Sequence, residues 1–295
     1  MIRKVLVICL FGSLLTVGAA PAGANGHHGG PHRGGFLFIG TDVEEFHGAP
    51  NGPDRLGRFQ TSGPNVGAGT IITTSFPING MTNAHGFLYS GDPNSNTIRR
   101  VSYNGSLLGS TVAGFLAGCC SEDMVLAGRF LYHAHYSSRI EKINARTGAL
   151  VQTYLQSDVV GMTFVTKDDD DDDDDDGSDH AHGQGFHSTA SIGWSNHHDE
   201  DREIWITHWN ARQVGTWDPA TNTFTPRFTT PSRAGGLAWD ERTQVLWVGM
   251  QGGLVVPYRL NGTPYNAGFR PFGNIGDTID GLEFVKKTHH HHDHD

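Results

Sequence analysis

Two histidines, His135 and His208, and five acids, Asp42, Asp92, Glu122, Asp123 and Asp280, are side chains in the body of the chain that could hold a divalent cation. Imidazole mixed with carboxylate suits zinc, manganese or iron, and carboxylates with carbonyls suit calcium. A cation held there could act as a Lewis acid, with Glu122 as the general base. Tyr136 and Trp209 directly follow the two histidines. None of these residues lies in a contiguous motif: the chain has no H-E-x-x-H, G-x-S-x-G, phosphate-binding loop or C-x-x-C-H run. They form a site only if the fold gathers separate segments at one place. The alternative for each is local: aspartate caps a turn at a strand end, and histidine satisfies a nearby hydrogen bond.

The elements that would gather them repeat. Five segments carry a small or acidic residue followed by Met or Leu: Asn79-Gly80-Met81, Glu122-Asp123-Met124, Val160-Gly161-Met162, Gly235-Gly236-Leu237 and Asp280-Gly281-Leu282. A second apolar run follows at Leu88, Leu131, Ile204 and Leu246, seven residues after Met81, seven after Met124 and nine after Leu237. A third run lies at Ile98, Ile140, Val214 and Val255, and turn residues such as Asn104-Gly105, Asp218-Pro219 and Asn261-Gly262 follow it. These are the turns that join antiparallel strands. A fourth strand is clearest at 149–155 and 223–228.

Four strands recurring about every 40 residues are the signature of a β-propeller blade. The stretch from Gly235 to Gly249, with Trp239-Asp240 and Leu246-Trp247-Val248-Gly249, resembles the inner hairpin of the NHL, YVTN and streptogramin-lyase group of propellers. The resemblance spans roughly 36–285 and is one of fold, a fold that serves many functions. The expected architecture is all-β: about five four-stranded blades, closed by pairing the strand at 36–41 with the strand at 279–285. The other blades are expected at about 79–117, 121–157, 159–232 and 234–277. The weakly patterned stretch 42–78 leaves a sixth blade open, and a two-sheet sandwich is the competing fold.

In a propeller the start of each inner strand and the end of the second lie at the same end of the ring. One mouth therefore collects Asp42, Asp92, Glu122, Asp123, Asp280, His135 and His208. Propellers of this group are expected to place ligands there. Cys119 and Cys120 fall on the same rim, either as a vicinal disulfide or as two thiols. His133 is expected on the opposite face of its blade from His135, and His85 at the other end of the ring.

The net charge of -10 comes from one place. Residues 168–201 hold thirteen acids, nine of them consecutive aspartates, and no Lys or Arg. Such a segment cannot build a core, so 167–202 is read as a disordered insertion in the fourth blade. It is either a solvating loop or, with its histidines, a loose metal binder, and the His-rich stretches at 25–35 and 286–295 carry the same two readings. Arg3 and Lys4, the apolar run that follows and Ala22-Gly23-Ala24 read as a signal peptide over 1–24, hence a secreted protein. No basic patch points to nucleic acid, the mature chain has no apolar run of bilayer-spanning length, and a monomer is expected. Three functions follow. The first is a binding module for a divalent metal (Ca, Zn or Mn) or small polar ligand at the mouth. The second is a metal-dependent hydrolase or lyase on a small sugar or lactone. The third is a metal-sequestering protein acting through the His and Asp tracts.

Overall fold

The computed structural model describes residues 35–41, 54–84, 86–91, 97–112, 121–135, 138–166, 202–273 and 278–286. The signal-peptide and tract assignments, and Asp42, Asp92, Cys119, Cys120, Tyr136 and His85, lie outside them. The described residues form strands and turns only. Among them no helix is long and apolar enough to cross a membrane.

Among the described residues, alternating apolar positions and Gly, Asn and Asp turns produce nineteen antiparallel strands in five sheets. Blade 1 is β19 (Gly281–Lys286), β1 (Gly35–Thr41), β2 (Arg55–Gln60) and β3 (Gly69–Thr73). Blade 2 is β4 (Asn79–Ala84), β5 (Phe87–Gly91), β6 (Thr97–Val101) and β7 (Leu107–Val112). Blade 3 is β8 (Ser121–Ala127), β9 (Phe130–His135), β10 (Arg139–Asn144) and β11 (Leu150–Leu155). Blade 4 is β12 (Val159–Thr166), β13 (Arg202–His208), β14 (Gln213–Asp218) and β15 (Thr223–Thr229). Blade 5 has β16 (Ala234–Asp240), β17 (Val245–Met250) and β18 (Leu254–Tyr258); Phe269, bridged to Val255, stands where a fourth strand would begin.

The first strands touch in the cyclic order β19, β4, β8, β12, β16 and back to β19, which makes the assembly a five-bladed propeller. The chain ends close the ring, with Gly35 paired to Lys286 and Gly40 to Gly281. A sandwich is thereby excluded. The stretch that left a sixth blade open supplies β2 and β3 of the closing blade instead. Its weak pattern has a physical cause: β3 is an outermost strand with four of its five residues exposed, so it needs no apolar alternation. Arg202, expected inside the insertion, is the first residue of β13.

The core lies between neighbouring blades. Tyr132 and Tyr154 of blade 3 pack edge-on against Trp217 of blade 4. Trp205 meets Leu237 and Trp239 between blades 4 and 5, and Trp247 meets Phe59 and Leu282 between blades 5 and 1. Each such side chain contributes about 2–3 kcal/mol by leaving water. The boundary between blades 2 and 3 is different. Its buried apolar cluster is small, Ile98, Met124, Leu131 and Ile143 with Tyr89, Leu126 and Ala145 packed against them, and the polar side chains His133, His135 and Glu141 of blade 3 are buried there too.

Candidate functional site

The repeated small-residue–Met/Leu segments open the inner strands, and at four of them a β-bulge shifts the pairing register: between Asn79 and Met81, Ser121 and Met124, Val159 and Met162, and Ala234 and Leu237. A bulge re-aims the backbone locally, and here it turns one N–H per strand toward the ring's axis. The aligned residues just before those N–H groups are Gly80, Asp123, Gly161, Gly236 and, in blade 1, Gly281. A Cβ on Gly161 would lie 2.1 Å from the Gly235 carbonyl oxygen, and one on Gly80 would lie 2.1 Å from that of Glu122. Blade 3 alone places a side chain in this column.

That side chain is Asp123, fully buried. Its Oδ1 accepts the N–H groups of Met81 and Met124, both at 2.9 Å. Its Oδ2 accepts those of Met162 at 2.9 Å and Leu237 at 3.3 Å. One carboxyl thus ties blades 2, 3, 4 and 5. Burial pushes its pKa well up, and the four N–H groups oppose that shift. All four partners are donors, the pattern that a carboxylate anion satisfies. The lone pairs that a metal would need from Asp123 are already engaged. Other polar groups at this mouth also tie blades together. Asn79 Nδ2 donates to the Ser121 carbonyl at 2.9 Å, and Thr207 Oγ1 accepts from Gly161 N–H at 2.7 Å while donating to the Gly235 carbonyl at 3.1 Å.

A second polar cluster sits on the face of blade 3 turned toward blade 2. His133 and His135 are two apart on β9 and therefore share a face, with ring centroids 4.6 Å apart at 83°. This corrects the expectation that they point to opposite faces: alternation separates neighbours i and i+1, not i and i+2. The β9–β10 register sets Glu141 opposite His133 and Arg139 opposite His135, bringing all four to that face. Glu141 Oε2 is 3.1 Å from His135 Nε2, and Glu141 Oε1 accepts Arg139 Nε at 2.8 Å. His133 Nε2 is hydrogen-bonded to Ser121 Oγ at 2.7 Å. His133, His135 and Glu141 are buried, and each offers a ligand atom within 4.8 Å of the others. Burial pushes His133 down to about 3, with His135 adding to the effect and Glu141 opposing it, so its imidazole is neutral. Burial would raise Glu141, but the hydrogen bonds from His135 and Arg139 outweigh it and hold the carboxyl below its ordinary value. Two imidazoles and an anionic carboxylate form a donor set for zinc and its neighbours.

His208 takes no part in this cluster. Its ring stacks on Phe224 at 4.1 Å and 15°, and Phe224, partly buried, packs against the core between blades 3 and 4. His135 faces blade 2, so blade 3 stands between the two histidines. Burial lowers the His208 pKa, with Asp158 opposing, and its Nε2 is buried without a hydrogen-bond partner among the described residues. Asp280 is 9% exposed where β19 begins, and Glu122 is half-buried beside Gly80. Of the mouth residues foreseen from sequence, the structure keeps His135 in a potential metal cluster and adds His133 and Glu141, which sequence reasoning missed. The available signal was the pair His133-x-His135 and Arg139-x-Glu141 on either side of one hairpin turn.

These observations define the class of protein: a five-bladed β-propeller, the fold that the sequence resemblance implied, with a His/Glu cluster between two blades. No protein-family model matches the chain, and no curated protein matches it. Among solved structures, a chain of a nidogen/laminin complex is similar at 12% identity with a TM-score of 0.48, covering 85% of this chain and 98% of that one. Virginiamycin B lyase from Staphylococcus aureus is similar at 13% identity with a TM-score of 0.40, covering 78% and 74%. At such identities the likeness is one of fold.

Proposed function

We propose that this protein is a secreted binding propeller that takes a divalent cation of the zinc type at His133, His135 and Glu141. The observation that carries the reading is the convergence of three buried ligand atoms within 4.8 Å. Calcium fits this donor set poorly, since it takes six to eight oxygens. Burial of all three ligands favours binding over turnover, because a catalytic zinc keeps one position open to substrate. Export is supported by the basic, apolar and small-residue order of the first 24 residues.

The test is zinc titration of the full chain beside His133→Ala/His135→Ala, with bound zinc and melting temperature both measured. Tract histidines also bind zinc, but a cation held between blades stabilises the folded state, by about 2.7 kcal/mol at one hundred times its Kd. The expected result is one zinc fewer in the double variant and loss of the zinc-induced rise in melting temperature. Equal zinc and equal melting shifts in both proteins would reject the site and move metal binding to the tracts.

A further inference from the structure

The cluster contains a fixed positive charge that no metal site requires. Arg139 Nε donates to Glu141 Oε1 at 2.8 Å, on the oxygen that His135 does not hold. The two partners differ in access: the Arg139 side chain is 17% exposed and that of Glu141 is 0%. A carboxylate buried to that degree is strongly disfavoured without a compensating cation. In the chain as it stands, the guanidinium supplies that charge from the rim of the cluster, with a path to solvent.

Resting on the metal reading above, we infer that Arg139 is the resident counter-ion of this site. It balances Glu141 in the metal-free protein and swings toward solvent when a divalent cation takes the carboxylate. A dication ligated by Glu141 and a guanidinium bonded to the same carboxylate are like charges a few ångströms apart, and weak screening inside the protein makes that arrangement unfavourable. One positive group therefore replaces the other. In the metal-free cluster Glu141 is paired with Arg139, and its ligands are already hydrogen-bonded on one rigid hairpin, so loading is an exchange at a folded site and not a step of folding. This distinguishes the site from structural zinc, whose removal unfolds the domain. A propeller built this way takes up and releases its cation reversibly.

The experiment uses the full chain and zinc, in competition with a chromophoric chelator, on wild type, Arg139→Gln, Arg139→Lys and His133→Ala/His135→Ala. Arg139→Gln should melt lower than wild type without metal, yet bind zinc about tenfold more tightly at the site defined by the double variant. Arg139→Lys, which keeps the charge, should bind as wild type does. Chelated wild type should retain its cooperative melt. A purely structural arginine would lower the melting temperature without tightening zinc, so unchanged or weakened binding in Arg139→Gln overturns the inference while leaving the metal site standing. Zinc binding and melting shifts that are the same in wild type and the double variant overturn the metal reading and this inference with it. Should Arg139→Gln fail to fold, the wild-type chain still decides. The slowly exchanging Arg139 Nε–H resonance, assigned by its absence in Arg139→Lys, should disappear as the site fills, and its persistence in the zinc-bound protein overturns the inference.

Discussion

Asp123 and Glu141 are both fully buried acids of blade 3, and they are satisfied in opposite ways. Asp123 sits on the axis and is held by four neutral N–H groups from four blades. Glu141 sits on a blade face and is held by one arginine and one histidine of its own hairpin. Backbone donors can neither titrate nor leave, so the first arrangement is permanent once the ring closes. Side-chain partners can rotate away or change protonation, so the second can be exchanged for a cation. The same chemical group thus serves as a fastener in one place and as a ligand in the other, and its donors decide which.

The largest effect expected from breaking this comparison is at the axis. Asp123→Ala leaves four buried N–H groups without an acceptor and should cost about 4 kcal/mol or more in urea unfolding, since each unsatisfied group costs about 1–3 kcal/mol. Asp123→Asn turns an amide donor toward a ring of donors and should cost about 3 kcal/mol; an unchanged midpoint would show that a neutral side chain fills the axis equally well. Neither change should alter the charge at Glu141, so a correctly folded Asp123→Asn keeps its zinc response.

Glu141→Gln comes next. It leaves Arg139 facing a neutral amide and should cost about 3 kcal/mol, as removal of one partner from a buried pair does. It should also abolish the zinc-induced melting shift. The pH dependence follows from the sign of the Glu141 shift. Its folded pKa lies below the ordinary 4.5, so its contribution is present above that value and is lost as pH falls through the folded value. The stability gap between wild type and Glu141→Gln, measured by denaturant unfolding from pH 6 to pH 3, should narrow with acid. A constant gap would show that Glu141 does not ionise differently on folding.

Gly161→Ala tests the column that leaves room for Asp123. Its Cβ would meet the Gly235 carbonyl oxygen at 2.1 Å, so blades 4 and 5 must separate slightly. A cost of about 2 kcal/mol is expected from overpacking, with zinc affinity unchanged. Ser121→Ala should have the smallest effect on stability, about 1 kcal/mol from one lost hydrogen bond. By removing the hydrogen bond to His133 Nε2 it should also weaken zinc about tenfold, the lower end for loss of a group that orients a ligand. Isothermal titration of the variant against wild type checks both this role and the His133 assignment.

Much of the fold was legible because its determinants are local. Met81, Met124, Met162 and Leu237 recur before apolar runs, and Asn-Gly and Asp-Pro turns punctuate them, so a propeller of about five blades closed by its end strands could be read, while the choice between five and six waited on the place of β2 and β3 in the closing blade. The outermost strand β3 was obscure because an exposed edge strand carries little alternation. The site was only partly legible. His135 was recognised, but His133 was set aside through a misjudged alternation, and Glu141 was overlooked because its only mark is the Arg139-x-Glu141 spacing across the hairpin turn from His133-x-His135, which needs the β9–β10 register to be read.

The chain's sequence alone determines recurring antiparallel units and points to the pairing of the strands at 36–41 and 279–285, since turn chemistry, strand period and repeat spacing act over a few residues at a time; the closed ring fixes the number of blades at five. Only the tertiary structure decides that Asp123 lies on the axis while His135 and His208 fall on opposite sides of blade 3. Those outcomes depend on where each bulge turns an N–H and on which neighbouring blade each face packs against, and both are set by the closed ring as a whole.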